Sequence, residues 1–235
     1  MSKIITVIML MVLCVGTPQV QAAIDWDFYD DGIIQEGDEY NNVGVYDTPP
    51  DHTTVDMLGG IVDSMGAYNE STINMTGGFV HTLWSLDSSN VNMSGGWVHE
   101  LSAYDTGMVN ISGDADVVVL AAREFGVVNM SGGVVDYVGP TEYGTVNLSG
   151  GLVNEFLATY DSGIINIYGY DLAKSASGGG WGYGLVTGEW ADETIFSIDF
   201  GRSETYSHVM LHEIPEPSTV VIIITGLLFF RKRQS

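Results

Sequence analysis

The sequence predicts an all-β protein, a parallel β-helix or β-solenoid of about seven coils, on three observations. A motif recurs every 18 or 19 residues, apolar side chains alternate around an asparagine in it, and a glycine follows at a fixed place. Residues 92–96 read NMSGG, for example, and residues 147–151 read NLSGG. A repeat this short holds one small unit, which cannot bury its own apolar face and must stack on its neighbours.

The N-terminal segment is typical of a secretory signal peptide. Lys3 precedes an apolar run over 4–15, and Ala22 and Ala23 offer a cleavage site made of small residues. We therefore expect residues 1–22 to form a signal helix that is removed on export. Cys14 is the one cysteine of the chain and would leave with this helix, so the exported protein would have neither a disulfide nor a thiol nucleophile.

Within each repeat, apolar residues stand on both sides of the asparagine, as Val91 and Met93 do around Asn92. This period of two is typical of a strand whose alternate side chains point inward. Because equivalent strands would stack at about 4.8 Å, we expect the outward asparagines to form a ladder of side-chain amides. The ladder residues are Asn74, Asn92, Asn110, Asn129, Asn147 and Asn166.

Fixed distances from the asparagine predict the rest of each coil. Valine recurs six residues after it, an apolar residue nine after it and a small residue eleven after it, which predicts three short sides with inward apolar side chains. The column nine residues after the asparagine contains Met65, Leu83, Leu101, Val119, Val138 and Phe156. We expect the first glycine of each pair, such as Gly95, to carry a positive φ or to allow a close backbone approach.

Two outward columns contain residues of the types that bind metals. The first column, seven residues after the asparagine, is Asp63, His81, His99, Val117, Asp136 and Asn154. Its first three members would lie about 5 Å apart, so a metal site is one hypothesis. Parallel side chains on stacked strands favour a solvated polar ladder without a metal instead. The second column is Asp87, Asp105, Glu124, Glu142 and Asp161, which admits a calcium site but is better explained by the preference of such residues for turns.

A further column, five residues after the asparagine, is largely apolar. Its members are Ile61, Phe79, Trp97, Ala115, Val134 and Leu152. Strict alternation would point them outward as a stripe suited to sugar stacking or to contact between neighbouring rods. A corner that turns two successive residues inward would bury them, and the sequence leaves both arrangements open.

Charge and motifs predict that the protein is not an enzyme. No nucleophile elbow, phosphate loop or zinc-helix motif occurs. All 30 acidic residues lie between the two apolar ends, where only Arg123, Lys174 and Arg202 are basic, and 3 positive against 30 negative charges give −27. Such a charge repels nucleic acid and favours cations. A lyase would need cations to neutralise a uronate, yet Arg123 is the one basic residue of the complete coils.

A short motif, an apolar run and three cations occupy the C-terminus. They are Pro215, Glu216 and Pro217, residues 220–230, and Arg231, Lys232 and Arg233. The run would make a short transmembrane helix of about 16 Å, with its basic end in the cytoplasm. This arrangement resembles the PEP-CTERM sorting signal of exported proteins in Gram-negative bacteria. The resemblance implies transient anchoring in the inner membrane, recognition by an exosortase that cuts near the motif, and a link to exopolysaccharide production.

The sequence therefore predicts five segments. They are the signal peptide 1–22, an N-terminal cap 23–52, the coils 53–174, a loop and C-terminal cap 175–213, and the sorting segment 214–235. We expect a structural or adhesive protein of the cell surface or exopolysaccharide matrix, whose partners are exopolysaccharide or neighbouring rods and which needs no cofactor. The alternatives are a carbohydrate-binding or polysaccharide-cleaving module and a calcium-dependent matrix linker.

Overall fold

The computed structural model describes residues 24–50 and 52–215. The predicted signal helix lies outside these residues, and so does the sorting segment from Glu216 onward, including Pro217, Arg231, Lys232 and Arg233. Within the described part, no helix is long and apolar enough to span a membrane. That part contains 17 strands and one helix of four residues, so it is all-β as predicted.

Most strands are short and follow one another through tight corners. In chain order the first nine are β1 Ile24–Phe28, β2 Gly32–Ile34, β3 Glu39–Tyr46, β4 Thr54–Met57, β5 Ile61–Tyr68, β6 Thr72–Met75, β7 Phe79–Ser85, β8 Asn90–Met93 and β9 Trp97–Ala103. They are followed by β10 Met108–Ile111, β11 Asp116–Ala122, β12 Val127–Val138, β13 Thr145–Leu157, β14 Ile164–Ser175, β15 Leu185–Glu189, β16 Ile195–Phe200, α1 Thr205–His208 and β17 Val209–Glu213.

Parallel strands of successive coils stack in two columns. The asparagine column consists of β2, β4, β6, β8, β10, the first halves of β12, β13 and β14, and β17. The long column consists of β1, β3, β5, β7, β9, β11, the second halves of β12 and β13, and β16. Each strand therefore pairs with the equivalent strand one repeat away, which confirms the predicted stacking of parallel strands in a β-solenoid.

Each regular coil contains two strands, and the strand of the long column is bent. In β5, Val62 and Met65 are fully buried, whereas Asp63 and Ser64 between them are not. The pairing of β5 with β7 skips Asp63. A strand of strict alternation would bury only one of two residues three apart, so the break at Asp63 allows both to face the core. The predicted third side is the second half of this bent strand.

The core is a continuous stack of aliphatic side chains between the two columns of strands, with several side chains from each coil. Its fully buried members include Ile73, Val80, Leu83, Val98 and Leu101. Burying one such side chain contributes about 2 kcal/mol, and each is covered mainly by the coils on either side. A single coil could not bury its own set, which is the physical reason for the repeat.

In the fourth coil, the predicted distances in sequence from the asparagine do not hold, because the repeat contains one additional residue. Val117, predicted to point outward, is fully buried, and so is Ala115, for which the sequence left both arrangements open. Val117 pairs with the inward Val98, and Asp116 takes the outward place beside Trp97. The same shift corrects the predicted inward column in the fourth coil, and a separate additional residue between Val153 and Phe156 corrects it in the sixth coil. Leu120 and Leu157 occupy this column, and their neighbours Val119 and Phe156 are only partly buried.

The two glycines of each corner have different structural roles. A Cβ added at Gly95 would lie 2.5 Å from the carbonyl oxygen of Thr76 in the preceding coil, so this glycine allows the predicted close approach. The positive φ belongs instead to the second glycine, as in Gly96 at +86°. In the fourth coil Asp114 replaces that second glycine, and Gly113 takes the positive φ of +58°.

The ends of the solenoid differ. The segment predicted as an N-terminal cap provides β1, β2 and β3, which continue both columns in register. At the other end, the second half of β14 leaves the stack and pairs antiparallel with β15, which pairs antiparallel with β16. Trp190 stacks on Phe196 there, with ring centroids 3.9 Å apart, and its indole N–H donates to the Gly151 carbonyl at 3.0 Å.

We expect Gly95→Ala to lower the free energy of unfolding by about 2 kcal/mol or more, because the new methyl group overlaps a backbone oxygen that cannot move without breaking the stack. Gly139→Ala is the control, since its added Cβ would meet no atom closer than 3.4 Å. Thermal unfolding followed by circular dichroism measures both variants. Equal melting temperatures for the two would contradict the proposed close packing of corners.

Candidate functional site

The predicted amide ladder is present and runs without interruption along the asparagine column. Every step is a hydrogen bond of 2.9 Å from Nδ2 of one asparagine to Oδ1 of the preceding one. The donors are Asn92, Asn110, Asn129, Asn147 and Asn166. Asn74 donates in turn to Asp56 Oδ1 at 2.9 Å, and His212 Nε2 donates to Asn166 at 3.0 Å. All amides therefore point the same way, and the ladder ends on a carboxylate, which favours hydrogen bonds polarised in that direction.

Aromatic side chains on the long column stack in the same manner. The rings of Phe79 and Trp97 are nearly parallel, at 10°, with centroids 4.5 Å apart. Beside them, the rings of His81 and His99 lie 4.9 Å apart at 5°. Parallel imidazoles at this distance are stacked, so their nitrogens do not converge on a common point. The structure thus presents these histidines as a polar ladder, and the hypothetical metal site with Asp63 is not formed.

The apolar column five residues after the asparagine points outward in most coils. Ile61 is 52% exposed, Phe79 40% and Leu152 53%. The column is interrupted at the fourth coil, where Asp116 stands in register between Trp97 and Val134. We call Ile61, Phe79 and Trp97 the apolar stripe. Because its two rings cover each other's faces, they present mainly their edges to solvent, whereas sugar stacking requires an open ring face.

The acidic residues of the last corner are turn residues. Asp87, Asp105, Glu124, Glu142 and Asp161 all have φ between +52° and +55°. A backbone hydrogen bond closes each turn, for example from Gly126 N–H to the Arg123 carbonyl at 2.8 Å. Aspartate enters this left-handed region more readily than most residues, although glutamate does not share that tendency. A hydrogen bond to Asp105 raises the pKa of Glu124, and the negative charges of Asp105 and Glu142 raise it further.

The three basic residues of the described chain are all held by internal partners. Arg123 Nη2 bonds Glu100 Oε1 at 2.8 Å. Lys174 Nζ donates to the backbone carbonyls of Tyr206 and Val209 at 2.8 and 2.6 Å, and burial lowers its pKa. Arg202 bonds Glu204 through Nε at 2.7 Å. A uronate substrate would therefore find none of these cations unpaired.

One group of side chains escaped the sequence analysis. Asp47, His52 and Glu70 place a carboxylate oxygen, an imidazole nitrogen and a second carboxylate oxygen within 4.8 Å of one another. Asp47 follows β3, His52 precedes β4 and Glu70 lies between β5 and β6. His52 and Glu70 are 18 residues apart, and the pairing of Thr54 with Thr72 places them at equivalent positions of neighbouring coils. This spacing was the signal in the sequence for their proximity, whereas no repeat relates Asp47 to them.

No known protein family, curated protein or solved structure matches this chain.

Removal of an asparagine from the middle of the ladder should destabilise the protein. In Asn110→Ala two hydrogen bonds disappear and their partners in Asn92 and Asn129 lose one bond each in partly buried surroundings, so we expect a loss of about 2 kcal/mol. Asn154→Ala is the control, because Asn154 makes one exposed bond to Asp136 and should contribute less than about 0.5 kcal/mol. Denaturant unfolding measures both, and similar losses would show that the ladder adds no stability.

Two surface carboxyls should affect stability in opposite directions as pH changes. Since the pKa of Glu124 is raised above 4.5 in the folded protein, its charge is unfavourable at neutral pH, and wild type should gain stability relative to Glu124→Gln as pH falls from neutral towards 4.5. Arg202 lowers the pKa of Glu204 to about 2, so the stabilisation by Glu204 is present above about 4.5 and is lost as pH falls towards 2. Melting temperatures of wild type, Glu124→Gln and Glu204→Gln across this range measure both effects. The same sign of pH dependence for the two variants would contradict the assignment.

Proposed function

We propose that this is an exported structural or adhesive protein of the cell surface or exopolysaccharide matrix of a Gram-negative bacterium, and that it has no catalytic activity. The main support is the apolar stripe on a regular acidic surface. Ile61, Phe79 and Trp97 are neighbours in three successive coils and are partly or largely exposed. In the isolated protein this apolar surface is in contact with water. Binding of another molecule would remove the apolar surface from water, which is favourable.

Neighbouring copies of the protein are the partners that this surface fits best. The rings stack edge-outward, which suits packing between rods better than stacking on the face of a sugar ring. Net charge opposes such packing, since the described part is strongly acidic and like charges repel at short range. Association should therefore need salt or cations that screen the acidic corners, as in an extracellular matrix rich in ions.

The C-terminal segment supports sorting by an exosortase. Pro215 is exposed and lies two residues after the end of β17, the last strand of the asparagine column. The motif Pro215–Pro217 therefore begins where the stacked coils end, so an enzyme at the membrane would reach it without unfolding a coil. In this proposal the apolar run holds the protein transiently in the inner membrane, and cleavage near the motif releases it to the cell surface or matrix.

A calcium-dependent linker is the second candidate. The negative charges of Asp105 and Glu142 contribute to the raised pKa of Glu124. A cation bound between these three side chains would reduce the repulsion between their charges. Calcium would then strengthen association at concentrations where sodium at the same ionic strength does not.

Replacing Phe79 and Trp97 together by serine should weaken association between copies at least about tenfold, because each loses up to about 2 kcal/mol of apolar burial in the contact. Phe125 and Tyr143 provide a matched control, since their rings are also stacked, at 5.4 Å, and more than 60% exposed, but they lie at the last corner. Sedimentation velocity in increasing sodium chloride, repeated with calcium, measures the association. If the wild type stays monomeric under all these conditions, or both double variants associate equally, the proposed role of the stripe is wrong.

Substitution of Pro215, Glu216 and Pro217 by alanine should leave the protein uncleaved in the membrane fraction of the producing bacterium. Wild type should reach the surface or matrix and lack the apolar run, as measured by cell fractionation and mass spectrometry of its C-terminus. Glu193→Gln, an exposed change distant from the motif, should behave as wild type. Matrix delivery of the alanine variant in wild-type amounts would exclude sorting through this motif.

A further inference from the structure

Three metal-ligating side chains from separate segments converge at the N-terminal end of the solenoid. His52 Nδ1 lies 3.2 Å from Asp47 Oδ1 and 3.6 Å from Glu70 Oε2. Asp47 and His52 flank the connection from β3 to β4, whereas Glu70 belongs to the turn of the next coil. His52 and Glu70 are one repeat of 18 residues apart, and the pairing of Thr54 with Thr72 shows that stacking brings these two side chains together. Asp47 joins them from the irregular connection after β3.

Two of the three distances in this group agree with those between ligands of one small cation. Tetrahedral zinc binds nitrogen and oxygen at about 2.0–2.2 Å. Two ligands of such an ion therefore stand about 3.3–3.6 Å apart, and the two measured separations of 3.2 and 3.6 Å agree with this value. All three atoms lie within 4.8 Å of one another, so rotation of the side chains could bring them around one cation.

Burial of Asp47 gives an independent reason for a cation at this place. Its side chain is only 6% exposed, and the hydrogen bond that it makes in the described structure is to the His52 ring. An ionised carboxylate removed from water needs a positive partner or several hydrogen-bond donors. No lysine or arginine approaches it within ion-pair distance among the described residues, and the net charge of the region repels further anions.

Access to the group is open from one side. The side chains of His52 and Glu70 are 61% and 64% exposed. They line a surface depression of about 460 Å³ together with Pro49, Pro50 and Asn69. An ion could therefore reach Asp47 from solvent, and water could occupy the ligand position that the protein leaves open.

We propose that Asp47, His52 and Glu70 bind one divalent transition metal ion of the zinc class. An imidazole together with two carboxylates suits zinc, whereas calcium prefers six to eight oxygen ligands. The ion would connect the β3–β4 loop to the turn after β5 and so fasten two successive coils to each other. This site is a structural cross-link near the N-terminal end, and it does not depend on the proposed adhesive function.

Zinc titration of the metal-free full chain tests the site, with calcium in millimolar excess to occupy the acidic corners. We expect one equivalent of zinc to bind and to raise the melting temperature. His52→Gln and Glu70→Gln should each lower the affinity at least about tenfold while the circular dichroism spectrum stays that of wild type, since both side chains are exposed. Asp47→Asn should have the same effect on affinity.

The double variant His81→Gln/His99→Gln is the matched control, because it removes the other pair of neighbouring imidazoles and should bind zinc as wild type does. Equal zinc affinity in wild type and His52→Gln overturns the proposal. Loss of the bound equivalent in the double variant would place the zinc on the stacked histidines instead and would also overturn it. Absence of binding by a folded wild-type chain would do so directly, whatever the association and sorting experiments show.

Discussion

The register between successive coils is the constraint on which the rest of this structure depends. Each strand pairs with its equivalent one repeat away, so every residue type that recurs in the sequence becomes a column in space. Valines and methionines then form a continuous core, amides bond to amides, and rings lie on rings. The register is possible only because glycines such as Gly95 let neighbouring corners approach more closely than a Cβ would permit.

Much of this architecture could be predicted from spacing alone, because a period of two within a period of 18 or 19 has few physical solutions. The asparagine ladder and the parallel stack follow directly. The wrong orientations predicted for Val117 and Val119 have a local cause. One additional residue beside Gly113 shifts both valines by one position, and such a shift exchanges core-facing and solvent-facing side chains. Which glycine of a pair takes the positive φ also depends on corner geometry that composition does not encode. In the group of Asp47, His52 and Glu70, the 18-residue spacing of His52 and Glu70 follows the repeat, whereas the approach of Asp47 depends on the irregular connection between β3 and β4.

The stacking of side chains between coils determines which of their atoms are available for contact at the surface. An aromatic residue on an ordinary surface offers a face to a ligand, but Phe79 and Trp97 cover each other and leave their edges available. The same geometry turns His81 and His99 from possible metal ligands into a pair of stacked rings. Since the basic side chains are held internally, what remains outside is an acidic surface with an apolar stripe. Under the function proposed above, such a surface would contact other surfaces when salt screens its charge.

The one-way direction of the amide ladder has a consequence for the order in which the protein is made. Asp56, the terminal acceptor, lies near the N-terminus, and each later asparagine donates to the one before it. A chain that crosses a membrane N-terminus first, as we propose for this one, would deliver every acceptor before its donor. Each newly exported coil could then pair with the preceding coil, which would already be folded. Folding could therefore proceed one coil at a time during secretion, before the C-terminal coils have crossed the membrane.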